Sequence, residues 1–357
     1  MQEAGLAQER GLAVENEARR RLPELLGELL DEPVVVARAG HGERGPDGGA
    51  DLRLADRRGR QWVIEVKSWS RPVRMAEMAR QLLRHVGDDE IPLLVVPYMS
   101  PASGRAAEEA GVNWLDLSGN AHIRRGDLFV NVQGHPNRNR SSGRPASPFA
   151  PKSARVARVL LLDSNHWWRQ RDLAEATGLY DGNVSRIVRR LDEELLLERR
   201  GGELRPRDAR AMIDAWAQDY RFDRHHALRG HLSGSGIELA RTLSERLESA
   251  GLHHAFTGLP AAWAIDRFAQ FRLNSVYVDG DPHEISERLE LRTNERGANV
   301  QLIAPDDAGI FFGEEVRDGL NCVAPVQVYL DLLHLPERAD EAARQLRAEY
   351  LQDKATS

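Results

Sequence analysis

Hydrophobic positions recur at helical spacing in some stretches of this chain and fall into short strand-like runs in others. From residue 13, "AVENEARRRLPELLGELL" places its apolar residues at helical spacing. "PVVVAR", "ADLRLA" and "QWVIEVKSW" are short, apolar and strand-like. "PVRMAEMARQLLRHV" reads as an amphipathic helix and "PLLVVPY" as a buried strand. "SPASGRAAEEAG" opens on a cap-type Ser before a helix, and "VNWLDL" and "DLFVNVQG" close the set as strands. Strands mixed with helices predict an α/β domain over residues 1–133.

The pattern stops at "GHPNRNRSSGRPASPFAPKS", which holds four prolines and no acidic residue. Such a composition cannot pack a core, so residues 134–152 are expected to be a linker. A compact helical segment follows over 153–210. A second α/β region runs over 211–357, with strands such as "NSVYVDG" and "ANVQLIAP" and a final helix in "ADEAARQLRAEYL". No repeat of 20–50 residues is visible.

Within 153–210, "RQRDLAEATGLYDGNVSRIVRRLDEELLLERRGGELRPRD" has the most specific pattern. Residues 169–177 suit a first helix with Leu173 and Ala174 inward, and "TGL" supplies a turn. A second helix is expected from Asp181, with Val184, Ile187, Val188 and Leu191 as its buried stripe. Asn183, Ser185, Arg186, Arg189 and Arg190 then face outward, where such side chains suit base edges and phosphates. "LLLERRGGELRP" reads as two short strands tipped with Arg199 and Arg200, the wing of a winged helix-turn-helix. The neighbouring "NHWWRQ" is expected to pack its two tryptophans in a core or domain interface.

Charge sharpens this picture. The whole chain of 357 residues carries a net −6. Residues 134–210 hold 16 Lys plus Arg against 10 Asp plus Glu, which leaves the remainder at −12. Phosphate binding needs such a local concentration. Hydrophobic content of 41% and charged content of 29% fit a globular protein of two or three domains. A single cysteine, Cys322, excludes an internal disulfide and a cysteine zinc cluster. No apolar run reaches about 18 residues, and the N-terminus has no signal-peptide core, so no membrane span and a cytoplasmic location are expected.

The candidate chemistry lies in the first domain. Lysine occurs only at Lys67, Lys152 and Lys354, although Lys plus Arg total 49. On a strand, Glu65 and Lys67 share one face while Trp62, Ile64 and Val66 take the other. A hairpin through "ADRRGR" would bring Asp51 beside Glu65. Two carboxylates at the mouth of neighbouring strands suit a hard cation, Mg2+ or alternatively Mn2+. A compact ammonium can assist an attacking water in a way the planar Arg cannot.

Asp51 with Glu65-x-Lys67 resembles the PD-(D/E)XK nuclease superfamily. The resemblance implies a restriction-endonuclease-like fold, with Asp51 and Glu65 on the metal and Lys67 catalytic. It adds Glu15 as the acid of the first helix, with Glu17 as the competing choice, and Gln81 on the following helix. "GAD" stands where the family has "PD", so Asp47 of Pro46–Asp47 rivals Asp51.

In the last region, "GSG" at 234–236 and "DGD" at 279–281 lack the partners a nucleotidyltransferase needs. The adjacent pairs His225–His226 and His253–His254 do not face one ligand point and are expected to be structural. "IEVKS", "VNWLDLSGNAHI", the winged helix, "GLPAA" and "VYLDLL" come in the order of the long AbiEi-type antitoxin and transcriptional-regulator family, which the chain resembles. That resemblance implies a C-terminal domain akin to an inactive nucleotidyltransferase, a cognate toxin, and a setting in phage defence. The leading expectation is a metal-dependent DNA endonuclease targeted to duplex DNA by its winged helix. The alternative is a repressor or antitoxin whose nuclease-like domain is inactive. Two-fold DNA sites would suit a homodimer.

Overall fold

A computed structural model describes residues 2–36, 51–68, 70–138, 147–267, 270–293, 297–336 and 338–349. The fold is mixed α/β in two compact units. One is Met1–Pro145 with Glu193–Leu195, and the other is Ala146–Asp192 with Leu196–Ser357. The boundary expected at 210–211 falls inside the second unit.

The first unit holds a seven-stranded sheet whose strands lie in chain order: Val34–Val36, Leu52–Asp56, Gln61–Val66, Glu90–Val96, Asn113–Asp116, Ala121–Arg125 and Leu128–Val132. Gln61–Val66 runs parallel to Glu90–Val96, which runs parallel to Asn113–Asp116; the other pairs are antiparallel. Parallel neighbours need crossovers, and helices Met75–Leu83 and Pro101–Glu109 provide them. Ser100 caps the second of these by accepting from the Ser103 N–H.

The alternation along Gln61–Val66 splits the core. Trp62, Ile64 and Val66 join Ala18, Leu22 and Leu26 of helix Gln2–Leu30 on one face. Val63 joins Met75, Leu82 and Trp114 on the other. Glu65 follows the parity of Val63, so it points to the face covered by the crossover helices. The hairpin register pairs Leu52 with Ile64, which sets Asp51 opposite Glu65 as expected.

The second unit begins with helices Pro151–Leu162, Gln170–Thr177 and Asp181–Glu193. Gly178 ends the middle helix at φ 65°, a left-handed conformation that glycine adopts without steric cost. A hairpin of Leu197–Arg200 and Glu203–Pro206 follows, closed by Gly201–Gly202 with both φ values positive. Trp168 bridges to Leu204 and extends this hairpin.

The rest forms a second seven-stranded sheet, ordered Arg292–Thr293, His226–His231, Val300–Ala304, Asn274–Val278, His254–Thr257, Leu320–Cys322 and Glu315–Arg317. Helices Ala209–Asp219, Gly236–Ser249, Gly258–Asp266, Pro282–Arg288, Pro325–Leu332 and Ala339–Glu349 surround it. One apolar core runs through the whole unit, from Val156, Leu173 and Val188 to Phe256, Val276 and Leu330. No helix among the described residues is long and apolar enough to cross a membrane.

Candidate functional site

At the end of the first sheet, Asp51, Glu65 and Lys67 converge. The Val66 N–H donates to Asp51 Oδ2 at 2.8 Å, and the Asp51 N–H donates to the Ile64 carbonyl at 2.9 Å. Lys67 Nζ donates to Glu65 Oε1. Glu65 is only 3% exposed, while the Lys67 side chain keeps 27% of its surface. The backbone of Lys67 is fixed by its own N–H donating to Val95. A buried carboxylate therefore meets a half-hydrated ammonium at a strand end.

Hydrogen bonding leaves Asp51 Oδ1 and Glu65 Oε2 without a protein donor among the described residues. Two such oxygens fit part of the donor set of a hard cation. No group of three or more His, Cys, Asp or Glu side chains gathers into a metal cage among the described residues. Water or phosphate oxygens would have to complete any shell.

The other residues expected at this site are placed unequally. Glu15 accepts from Arg19 at 2.7 Å, and Arg19 also donates to the Asp51 carbonyl at 3.1 Å. Glu15 is thus linked to the Asp51 end through one guanidinium. Glu17 instead pairs with Arg21 at 3.1 Å on a more exposed face. Gln81 lies late in helix Met75–Leu83, which runs back against its flanking strands. Just beyond it, the His85 carbonyl accepts from Arg53, which also pairs with Glu90. Glu90 stands opposite Gln61, so His85, one turn beyond Gln81, lies toward the far end of the strand from Glu65. Asp47 lies outside the described residues.

The second candidate surface is helix Asp181–Glu193. Val184, Ile187, Val188 and Leu191 are buried, and Asn183, Ser185, Arg186 and Arg189 are exposed. Arg190 lies on the flank of that open face. Arg186 Nη2 lies 3.4 Å from Asn183 Oδ1, a weak link that leaves its guanidinium largely open. Tyr180, just before the helix, is 86% exposed. On the hairpin, Arg199 is engaged by Asp192, whereas Arg200 lies 6.0 Å over the Trp167 ring. Arg205 sits closer on that ring, at 4.5 Å, and also pairs with Glu198. Trp168 packs against the core as expected, while Trp167 serves as a platform for two arginines. Sequence spacing located the helix but could not show that Asp192 occupies Arg199.

A third polar cluster was not foreseen. Asp331 is fully buried and accepts from the Thr257, Tyr220 and Tyr277 hydroxyls and from Gln327 Nε2 at 2.8 Å. Burial pushes its carboxyl pKa up, while the nearby His225 and these donors hold it back. Gln327 Oε1 accepts from Arg158 at 2.7 Å, so one amide bridges a buried cation and a buried anion. His225 Nδ1 accepts from the Asp306 N–H at 3.1 Å, which leaves Nε2 to bond Tyr220 at 2.9 Å. His254 bonds Ser244, His253 bonds Glu314, and Asp281 caps helix Pro282–Arg288. These histidines and this aspartate have structural partners. Tyr220, Thr257, Tyr277 and Gln327 lie far apart in the chain, so no spacing signal could have grouped them.

Residues 205–352 match the family described as transcriptional regulator, AbiEi antitoxin, type IV toxin–antitoxin system. No curated protein and no solved structure matches the chain. The match begins within the last hairpin strand and covers most of the C-terminal lobe; the N-terminal unit lies outside it.

Proposed function

We propose that this protein is a DNA-binding transcriptional regulator of the AbiEi antitoxin kind, acting beside a cognate toxin. Residues 153–210 serve as its winged helix, and helix Asp181–Glu193 enters the major groove. The carrying observation is the division of that helix into a sealed apolar stripe and an open face of Asn183, Ser185, Arg186 and Arg189. The regulator family matched by residues 205–352 supports this reading over nuclease action as the main role. The C-terminal lobe would then be a scaffold of the inactive nucleotidyltransferase kind, in keeping with the helix-cap role of Asp281. A gel shift on the duplex upstream of its own gene, across a salt series, tests this. Arg186→Ala and Arg189→Ala should each weaken binding by about 1–3 kcal/mol where they meet bases, or lower the salt slope by about 1 where they meet phosphate. Unchanged affinity at every salt concentration in both variants would sink the assignment.

A second reading is favoured by the convergence of Asp51, Glu65 and Lys67 on one strand end. The N-terminal unit would then be a PD-(D/E)XK-type domain, with Asp51 and Glu65 holding Mg2+ or Mn2+ through their remaining oxygens. Such a cation would lower the pKa of a bound water and offset phosphate charge. Lys67 would orient that water, Asp51 would be positioned by the Val66 N–H, and Glu15 would hold the end of the sheet through Arg19. Duplex and single-stranded DNA incubated with Mg2+ or Mn2+ should give products that disappear with Glu65→Ala and Lys67→Ala. Products absent, or equal in the variants, leave the regulator reading alone.

A further inference from the structure

Arg158 presents an unresolved charge. It lies on helix Pro151–Leu162 and is only 4% exposed. Its guanidinium stacks over Trp216 at 5.0 Å, and Nη1 donates to the neutral Gln327 amide at 2.7 Å. Nε is buried with no partner, and no carboxylate pairs with this group among the described residues. Asp331, a buried acid of the same network, is reached only through Gln327. A guanidinium has five donors, and a buried charge with most of them unmet is costly.

The neighbouring Arg155 shows the satisfied alternative. Its Nε and Nη2 fork onto Asp307 at 2.7 and 2.9 Å. Both arginines line one pocket, together with Arg224, Tyr220, Trp216 and Asp306. Two acids of this pocket are already engaged: Asp307 holds Arg155 and Asp219 accepts from Ser147. Burial pushes the third, Asp306, toward its neutral form. Arg221, also in the lining, pairs with Asp223. Arg224 is exposed, and its guanidinium makes no hydrogen bond among the described residues. Among the described residues, the cations of this lining with no carboxylate partner are therefore the buried Arg158 and the exposed Arg224.

We infer that this pocket is a binding site for a small oxyanion, a phosphate or a carboxylate, received side-on by the Nε edge of Arg158 and closed over by Arg224. Bidentate geometry suits the guanidinium fork and gives the buried cation the counter-charge it lacks. The ligand would touch the first helix of the DNA-binding segment and the C-terminal lobe at once.

Isothermal titration of the full chain with inorganic phosphate, and separately with acetate, tests the inference and separates the two sources. Saturable one-to-one binding of one of them is expected. Arg158→Lys keeps the charge but loses the fork, and should weaken that binding at least about tenfold. Arg224→Ala should weaken it a few-fold, and it carries the test alone if the Arg158→Lys variant does not fold. Absence of saturable binding by either anion overturns the site. So does equal affinity in the folded variants, or a loss caused by Arg189→Ala instead, which would put the anion on the DNA-facing helix.

Discussion

Glu65 in the first unit and Asp331 in the second are both carboxylates with almost no exposure, yet their surroundings differ. Asp331 accepts from Thr257, Tyr220, Tyr277 and Gln327, all neutral donors fixed by packing. Glu65 accepts from one ammonium, which itself keeps contact with water. The first environment is complete and has no capacity for a ligand. The second leaves an oxygen open beside Asp51, at a strand end. Burial alone therefore does not distinguish the two acids; the number of unmet acceptors does.

This contrast can be broken by substitution. Asp331→Ala should be the most damaging change, destabilising by about 3–5 kcal/mol, because it strands four buried donors and leaves Arg158 further from any negative charge. Urea unfolding measures it, and a loss under about 1 kcal/mol would mean that the network is not a structural element. Glu65→Gln should stay within about 1 kcal/mol of the native protein, since Lys67 can rehydrate and the amide keeps the volume. A large loss there would move Glu65 into the same class as Asp331.

The pH dependence gives a subtler separation. Burial lowers the pKa of His225, with Arg158 and Arg224 adding to the shift and Asp331 opposing it. Burial likewise lowers that of His334. A histidine held neutral in the fold binds fewer protons than in the unfolded chain, so stability falls as pH drops below about 6.5. Asp306 and Asp331 act oppositely. Burial raises their pKa, so they take up protons in the fold first and return stability as pH falls through their raised values toward about 3.8. His225→Gln should flatten the slope just below about pH 6.5 in thermal melts. An unchanged slope would assign the acid loss to other groups.

Legibility followed locality. Strand alternation put Glu65 and Lys67 on one face, and a short hairpin is enough to set Asp51 opposite them. The helical stripe of Val184, Ile187, Val188 and Leu191 fixed which side of that helix faces out. Glu15 could be separated from Glu17 only through Arg19, whose reach to the Asp51 carbonyl depends on how helix Gln2–Leu30 packs.

By itself the sequence determined the elements, the shared face of Glu65 and Lys67, the open face of helix Asp181–Glu193 and the local excess of positive charge. All of these follow from side-chain period and near-neighbour geometry. Tertiary structure alone decided that the helix–hairpin segment shares a core with the C-terminal lobe, that Asp192 occupies Arg199, and that Arg158 meets Asp331 through Gln327. In those cases the partners come from distant parts of the chain or from a neighbouring element. Whether a polar group is paired, sealed or left open depends on what packs across from it, and no periodicity encodes that.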